Sequence, residues 1–225
     1  MDATTPRPPV TLVSTTAVFG TETPFGRRVA RALERAGVAV TAVDVDLDDR
    51  GVVAEALPAD VSAVVYARVD PICLEPQSFV DVDPALWDAA CERQLRMLLH
   101  VVQASYAALA RSRGAMVCVC PTVGLQGAAN LAMLAAVAEG QRVLAKSAAR
   151  QWANDGIRVN IVSPSVHDLL ADPADARFVD ARRGRIPIDP YDVDAALREV
   201  LPFLLATRAI TAVTVPLDGA QVTAL

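Results

Sequence analysis

Five side chains in this 225-residue chain suit proton transfer near neutral pH: Tyr66, Tyr106, Tyr191, His100 and His167. A phenol protonates a carbonyl readily only when a nearby cation lowers its pKa. On a helix a residue four positions further on shares a face with the tyrosine, which makes that position one place for such a cation. Here the residues four positions after the tyrosines are Asp70, Ala110 and Ala195, so no YxxxK pair exists. His167-Asp168, just after Ser163-Pro164-Ser165, has the right residue types for acid-base work. Residues adjacent in a loop, however, seldom reach the geometry of nucleophile, base and orienting group. His100 follows Leu98-Leu99 in a helical stretch and reads as an interface or core-edge residue. The cysteines are Cys73, Cys91, Cys118 and Cys120, with Cys118 and Cys120 pointing the same way from one strand. With no CxxC spacing and no histidine pair, they read as reduced core thiols, and no metal is expected.

These groups must be placed by an alternating pattern of strands and helices. Val10 to Phe19 reads as a strand, followed by Gly20 and a helix from about Pro24 to Ala36 closed by Gly37. Val38 to Val45 is a second strand, a short helical piece spans about 52–57, and a third strand lies near 63–67. Helices are expected over about 84–111 and 131–153, with strand 115–120 between them. Strand 157–162, an irregular proline-bearing stretch 163–190, helix 192–205 and strand 212–215 complete the chain. Apolar strands alternating with helices predict a parallel sheet covered on both faces, a Rossmann-like doubly wound α/β fold. The first turns of the helix at 131–153 are apolar on every side, which predicts burial on two faces, one against the sheet and one against a second subunit.

Composition sets the outer limits. A chain of this length with 53% hydrophobic residues buries a full core as one domain, 1–225, with residues 1–9 a flexible arm. A net charge of −5 without basic runs argues against nucleic acid or an anionic membrane as partner. The uncharged run from Gly114 to Ala138 is broken by Pro121, Gly124, Gln126, Gly127 and Asn130, so it reads as protein interior. The amino terminus lacks the pattern of a secretory signal, and the expected location is the cytoplasm.

Gly156-Ile157-Arg158-Val159-Asn160-Ile161-Val162-Ser163-Pro164 and the helix before it resemble the second half of a short-chain dehydrogenase/reductase. The resemblance runs over essentially the whole chain, with each motif degraded. The family's TGxxxGxG turn is similar to Phe19-Gly20-Thr21-Glu22-Thr23-Pro24-Phe25-Gly26, where Gly20 and Gly26 remain and the middle glycine is Pro24. Proline brings a ring and no N–H where backbone would approach a diphosphate, and Glu22 adds negative charge there. Thr23-Pro24 also suits a capped helix start. Asp44, 18 residues after Gly26, stands where the family's ribose-binding acid would be, and is also an ordinary strand-end residue. Only 17 residues separate Val45 from Ala63, which implies six strands with one edge strand lost. The family's NNAG turn falls at Tyr66-Ala67-Arg68-Val69, where Arg68 reads as a salt-bridging residue.

Matched without gaps to Gly124–Asn160, the resemblance puts the family's catalytic serine at Pro121, its tyrosine at Leu134 and its lysine at Ala138. The helix asparagine falls at about Gln94. None of the first three transfers a proton. Lys146 is no substitute: it lies eight residues past Ala138, roughly 80° away in azimuth. The resemblance thus implies a pseudoenzyme that binds no dinucleotide itself. Its expected role is as the silent subunit of an NAD(P)-dependent oxidoreductase, similar to the inactive partner in heterotetrameric hydroxyacyl-CoA-type dehydrogenases. It would pair with an active paralogue, or with itself, through helices 84–111 and 131–153. Two alternatives stay open: a scaffold reused for a non-redox reaction (cyclase, dehydratase or isomerase) through His167, Asp168, Tyr66 or Arg68, and ligand sensing.

Overall fold

The structure, a computed structural model, describes residues 15–170, 188 and 191–222. The expected arm at 1–9 and most of the irregular stretch 171–190 lie outside these residues. The described chain alternates as β1 (Thr16–Phe19), α1 (Pro24–Arg35), β2 (Val40–Val43), α2 (Arg50–Ala56), β3 (Ala63–Tyr66), α3 (Pro84–Trp87), α4 (Arg93–Ser112), β4 (Ala115–Val119), α5 (Val123–Gln126), α6 (Ala132–Trp152), β5 (Arg158–Pro164), α7 (Val166–Leu169), α8 (Val193–Ala206) and β6 (Thr214–Leu217). All six strands are parallel, in the order β2-β1-β3-β4-β5-β6. The Rossmann-like fold with six strands is therefore as the sequence predicts, and β2 forms one edge.

Two apolar layers cover the sheet, as burial of both faces requires. One layer packs Phe25, Val29 and Leu33 of α1 with Leu197, Leu201 and Leu204 of α8. The other packs Leu98 and Val101 of α4 with Ala145, Ala149 and Trp152 of α6 against Phe19, Tyr66 and Cys118. Cys73, Cys91, Cys118 and Cys120 are all buried free thiols. Burial pushes the Cys73 and Cys120 thiols up to about 12 and the Cys91 thiol to about 11, so they stay protonated and inert at neutral pH.

Two of the expected elements are altered for local reasons. The helix expected over 84–111 is a compound one: α3 passes through a π-helical turn, Asp88–Glu92, into α4. The last strand begins at Thr214, because Ala212 has φ 63°, a left-handed conformation that a strand cannot accept. The first turns of α6 are buried along one side only, and Ala136 on the other side is exposed. Met133, Leu134, Val137 and Ala138 are buried, packed beside the 3₁₀ turn Pro71–Leu74 and the π turn. The open face of α6 runs from Ala136 to Val143, seven residues on and so at nearly the same azimuth, where Val143 is 59% exposed.

Asn160, fully buried in β5, explains why the anchor of the sequence pattern is an amide. Its Nδ2 donates to the Ile210 carbonyl at 3.1 Å, and its Oδ1 accepts from the Val213 N–H at 3.3 Å. It thereby satisfies backbone groups of the segment leading into β6. Gly26 answers to a different demand. A Cβ placed there would lie 1.8 Å from the Gly20 carbonyl oxygen, a backbone atom that cannot swing away. Gly26→Ala is expected to cost about 3 kcal/mol or more, the upper range for overpacking, read as a lowered urea midpoint with an unchanged m-value.

Candidate functional site

The family-like cleft lies at the carboxyl ends of the parallel strands, where loops from β1, β3, β4 and β5 converge. Its first wall is the turn from β1 into α1. Thr23 caps α1: its Oγ1 accepts from the Gly26 N–H at 3.1 Å and donates to the Gly20 carbonyl at 2.8 Å, with Pro24 in the first helical turn. Pro24 has no N–H to offer an anion, and that of Gly26 is used inside the chain. Asp44 is likewise engaged, its carboxylate accepting from Thr21 Oγ1 at 2.6 Å. Across the cleft, Arg68 ion-pairs with Glu22 of this turn and, at 2.8 Å, with Asp70. Arg68 comes so close to Gly20 (φ 94°) that a Cβ there would meet the Arg68 backbone nitrogen at 2.5 Å.

Gln94, Pro121, Leu134 and Ala138 come together. They line one cavity with Arg68 and Asp70, and its volume is about 10 Å³. That is about the volume needed to admit one water. Pro121 and Ala138 carry no polar side-chain atom and Leu134 is 1% exposed, while the Gln94 amide donates to the Ala89 carbonyl at 3.3 Å. Nothing on the three apolar side chains gives or takes a proton.

Sequence reasoning missed the polar group behind this cavity. Arg142, one helical turn after Ala138 on α6, is 2% exposed. Its Nη1 donates to Ser163 Oγ at 2.8 Å, its Nη2 to the Cys120 and Pro121 carbonyls at 3.3 and 3.1 Å, and its Nε to Glu139 Oε1 at 2.7 Å. Ser163 Oγ in turn donates to the Cys120 carbonyl at 2.6 Å. This network fixes the end of β4 to β5, because the β4 chain turns away after Val119 and leaves carbonyls that the sheet does not satisfy. An arginine within a mostly apolar helix was the available signal, but its acceptors lie 21 and 22 residues away in sequence.

The remaining candidates are dispersed. His167 and Asp168 sit on α7, whose cap is Ser165: its Oγ accepts the His167 backbone N–H at 3.3 Å, so that hydroxyl serves the helix start. Tyr66 is fully buried in β3, with burial and the neighbouring thiols raising its pKa. His100 Nδ1 lies 2.9 Å from the Leu47 carbonyl, at the edge of the α4 layer. Asp168 is the group with usable acidity. Burial outweighs the opposing pull of Arg28 and moves its pKa from about 3.8 up to about 6, and its Oδ2 is buried without a hydrogen-bond partner among the described residues. The Tyr191 hydroxyl is also buried without a partner among the described residues, and burial together with the Asp168 and Asp218 charges raises its pKa. Among the described residues there is no cluster of three or more metal-ligating side chains, and no helix is long and apolar enough to cross a membrane.

The profile of a family described as enoyl-(acyl carrier protein) reductase matches residues 60–219. A 3-oxoacyl-(acyl-carrier-protein) reductase from Staphylococcus aureus is 29% identical over 139 residues, which is 59% of this chain and 56% of that protein. The chain thus spans little more than half the length of these reductases. A protein named inactive 2-(S)-hydroxypropyl-CoM dehydrogenase 2, from Xanthobacter autotrophicus, is 31% identical over 120 residues, 49% of this chain and 52% of that one. The solved 3-hydroxyacyl-CoA dehydrogenase type-2 from Mycobacterium avium superposes with a TM-score of 0.76 at 22% identity, covering 92% of this chain and 95% of that one. The six-stranded parallel sheet, the Gly20–Gly26 turn, the Asn160 anchor and the matched profile lead to one assignment: the chain belongs to the short-chain dehydrogenase/reductase family.

Proposed function

We propose that this chain is a catalytically silent short-chain dehydrogenase-like subunit that assembles with an active, NAD(P)-dependent paralogue and stabilises or regulates it. The observation that carries the reading is the convergence of Gln94, Pro121, Leu134 and Ala138 on one cavity of about 10 Å³. In this reading the chain holds no dinucleotide. Support comes from the first turn, where Glu22 is paired with Arg68, Asp44 with Thr21 and the Gly26 N–H with Thr23. The inactive relative from Xanthobacter lends support by analogy. The partner would be an alcohol or hydroxyacyl-CoA type dehydrogenase of the same fold.

Helices α4 and α6 would form the contact. Between them runs a groove of about 720 Å³ lined by Leu99, Val102, Tyr106, Leu144, Ala148 and Trp152 on its apolar side and by Arg50, Gln103, Ser147, Gln151 and Asp155 on its polar side. Leu99 and Tyr106 are each 39% exposed beside the more exposed Val143, which makes an apolar strip of the kind subunit contacts use. The test is purification of the tagged full chain from its native host, with mass spectrometry and a nicotinamide-binding assay on what is recovered. An intact dehydrogenase with a YxxxK pair in about equal amount is the expected result, lost on Val143→Glu. A lone homo-oligomer that binds no such partner would overturn the proposal. Asp168 favours a second reading, non-redox acid-base catalysis on the same scaffold, because a carboxyl with pKa near 6 is poised to give or take a proton.

A further inference from the structure

The amino-terminal ends of the strands, opposite the family-like cleft, carry a second concavity. It has a volume of about 570 Å³ and is lined by Ser112, Arg113, Gly156, Arg158, Arg208 and Thr211, among others. Among the described residues no carboxylate lines it. Among the ion pairs of the described residues none involves Arg113, Arg158 or Arg208. The acid nearest in sequence, Asp155, instead accepts the Tyr106 hydroxyl at 3.0 Å.

Three arginines gathered without a counter-charge repel one another. The Arg158 pKa is lowered, first by burial and then by the Arg208 charge. Arg158 itself is held by the carboxyl end of α8, donating to the Leu204 and Leu205 carbonyls at 3.2 and 3.0 Å and to that of Thr207. It is a fixed charge that cannot turn away. The Arg113 and Arg208 side chains are exposed, and neither makes a hydrogen bond among the described residues. Arg113 ends α4 with φ 51°, a left-handed conformation that costs a side-chain-bearing residue energy and that glycine ordinarily fills. Its guanidinium lies over Gly156, also left-handed at φ 77°, so closely that a Cβ on Gly156 would meet Arg113 Nε at 2.6 Å.

We propose that this concavity is a binding site for a small multivalent phosphate-bearing anion, with Arg208 and Arg113 as its gripping residues and Arg158 as its fixed charge. An anion seated there relieves the repulsion among the three cations and meets guanidinium forks suited to phosphate oxygens. The site lies on the opposite end of the sheet from Gln94, Pro121, Leu134 and Ala138, so it does not depend on whether that cleft is silent.

The test is titration of the full chain with inorganic pyrophosphate at constant ionic strength, by calorimetry and thermal shift. Saturable binding is expected in the unaltered chain, with Arg208→Gln and Arg113→Gln each weakening it about tenfold, as the loss of one charge-assisted hydrogen-bonding group predicts. Arg208→Gln is further expected to raise the melting temperature without ligand, since it removes a like charge, and to shrink the rise that pyrophosphate produces. Arg31→Gln, on the separate arginine-bearing face of α1, should bind as the unaltered chain does. Absence of saturable binding, or equal binding by Arg208→Gln and Arg113→Gln, would overturn the proposal.

Discussion

Replacing Arg142 by alanine is expected to destabilise the fold by roughly 3–5 kcal/mol, the range for breaking a buried, hydrogen-bonded charge network. The substitution removes one of two donors from each of the Pro121 and Cys120 carbonyls, removes a donor from Ser163 Oγ, and opens a void beside Ala138. Each buried polar group left unsatisfied costs about 1–3 kcal/mol, and the void adds to that. Glu139 contributes little to the loss, because its side chain is 39% exposed and water can replace its partner. The check is equilibrium urea unfolding of Arg142→Ala beside Glu139→Gln. A small effect for the second and a large one for the first is the expected pattern. Equal small effects would mean that the β4–β5 junction does not rely on this guanidinium.

Asp168→Asn is expected to stabilise the protein above about pH 6 and to leave it nearly unchanged below about pH 4. The sign follows from linkage. Burial raises the folded-state pKa of Asp168 from about 3.8 to about 6, so the folded protein binds this proton more tightly than the unfolded chain does. The associated stability is fully present below pH 3.8 and is lost as pH rises through 6. With the carboxylate charged and Oδ2 unpartnered, the cost at neutral pH is on the order of 2–3 kcal/mol. Urea unfolding of both proteins between pH 4 and 8 measures it. Curves that stay parallel across that range would show that Asp168 titrates alike in the two states.

A half-buried acid that weakens its own fold at neutral pH is the kind of group that functional sites retain. It is therefore the residue to vary if no dehydrogenase accompanies the chain. Of the sequence's candidates, Asp168 alone gained chemical weight from the structure. Ser165 is a helix cap and Tyr66 a core phenol, so neither can join Asp168 in a triad. The Tyr191 hydroxyl does share its surroundings, a proximity that no spacing rule could express.

What the sequence determined by itself was local or periodic. The strand-helix alternation, the apolar faces, the Thr23-Pro24 helix start and the missing YxxxK pair depend on neighbours within a few residues, where side-chain direction follows from backbone geometry. The short connection from Val45 to Ala63 likewise limited the sheet to six strands. What only the tertiary structure decided was how polar groups far apart in sequence satisfy or burden one another. Arg142 finds acceptors on a different strand, Arg68 reaches back to Glu22, and Arg113 meets Arg158 and Arg208 at one end of the sheet. Desolvation and Coulomb energy depend on distance in space and on what excludes water, and neither is written in residue spacing. The same holds for the outer face of α6. Its all-round apolar start pointed to two buried faces; the chain's own turns at 71–74 and 88–92 cover one side, and the open strip runs from Ala136 to Val143.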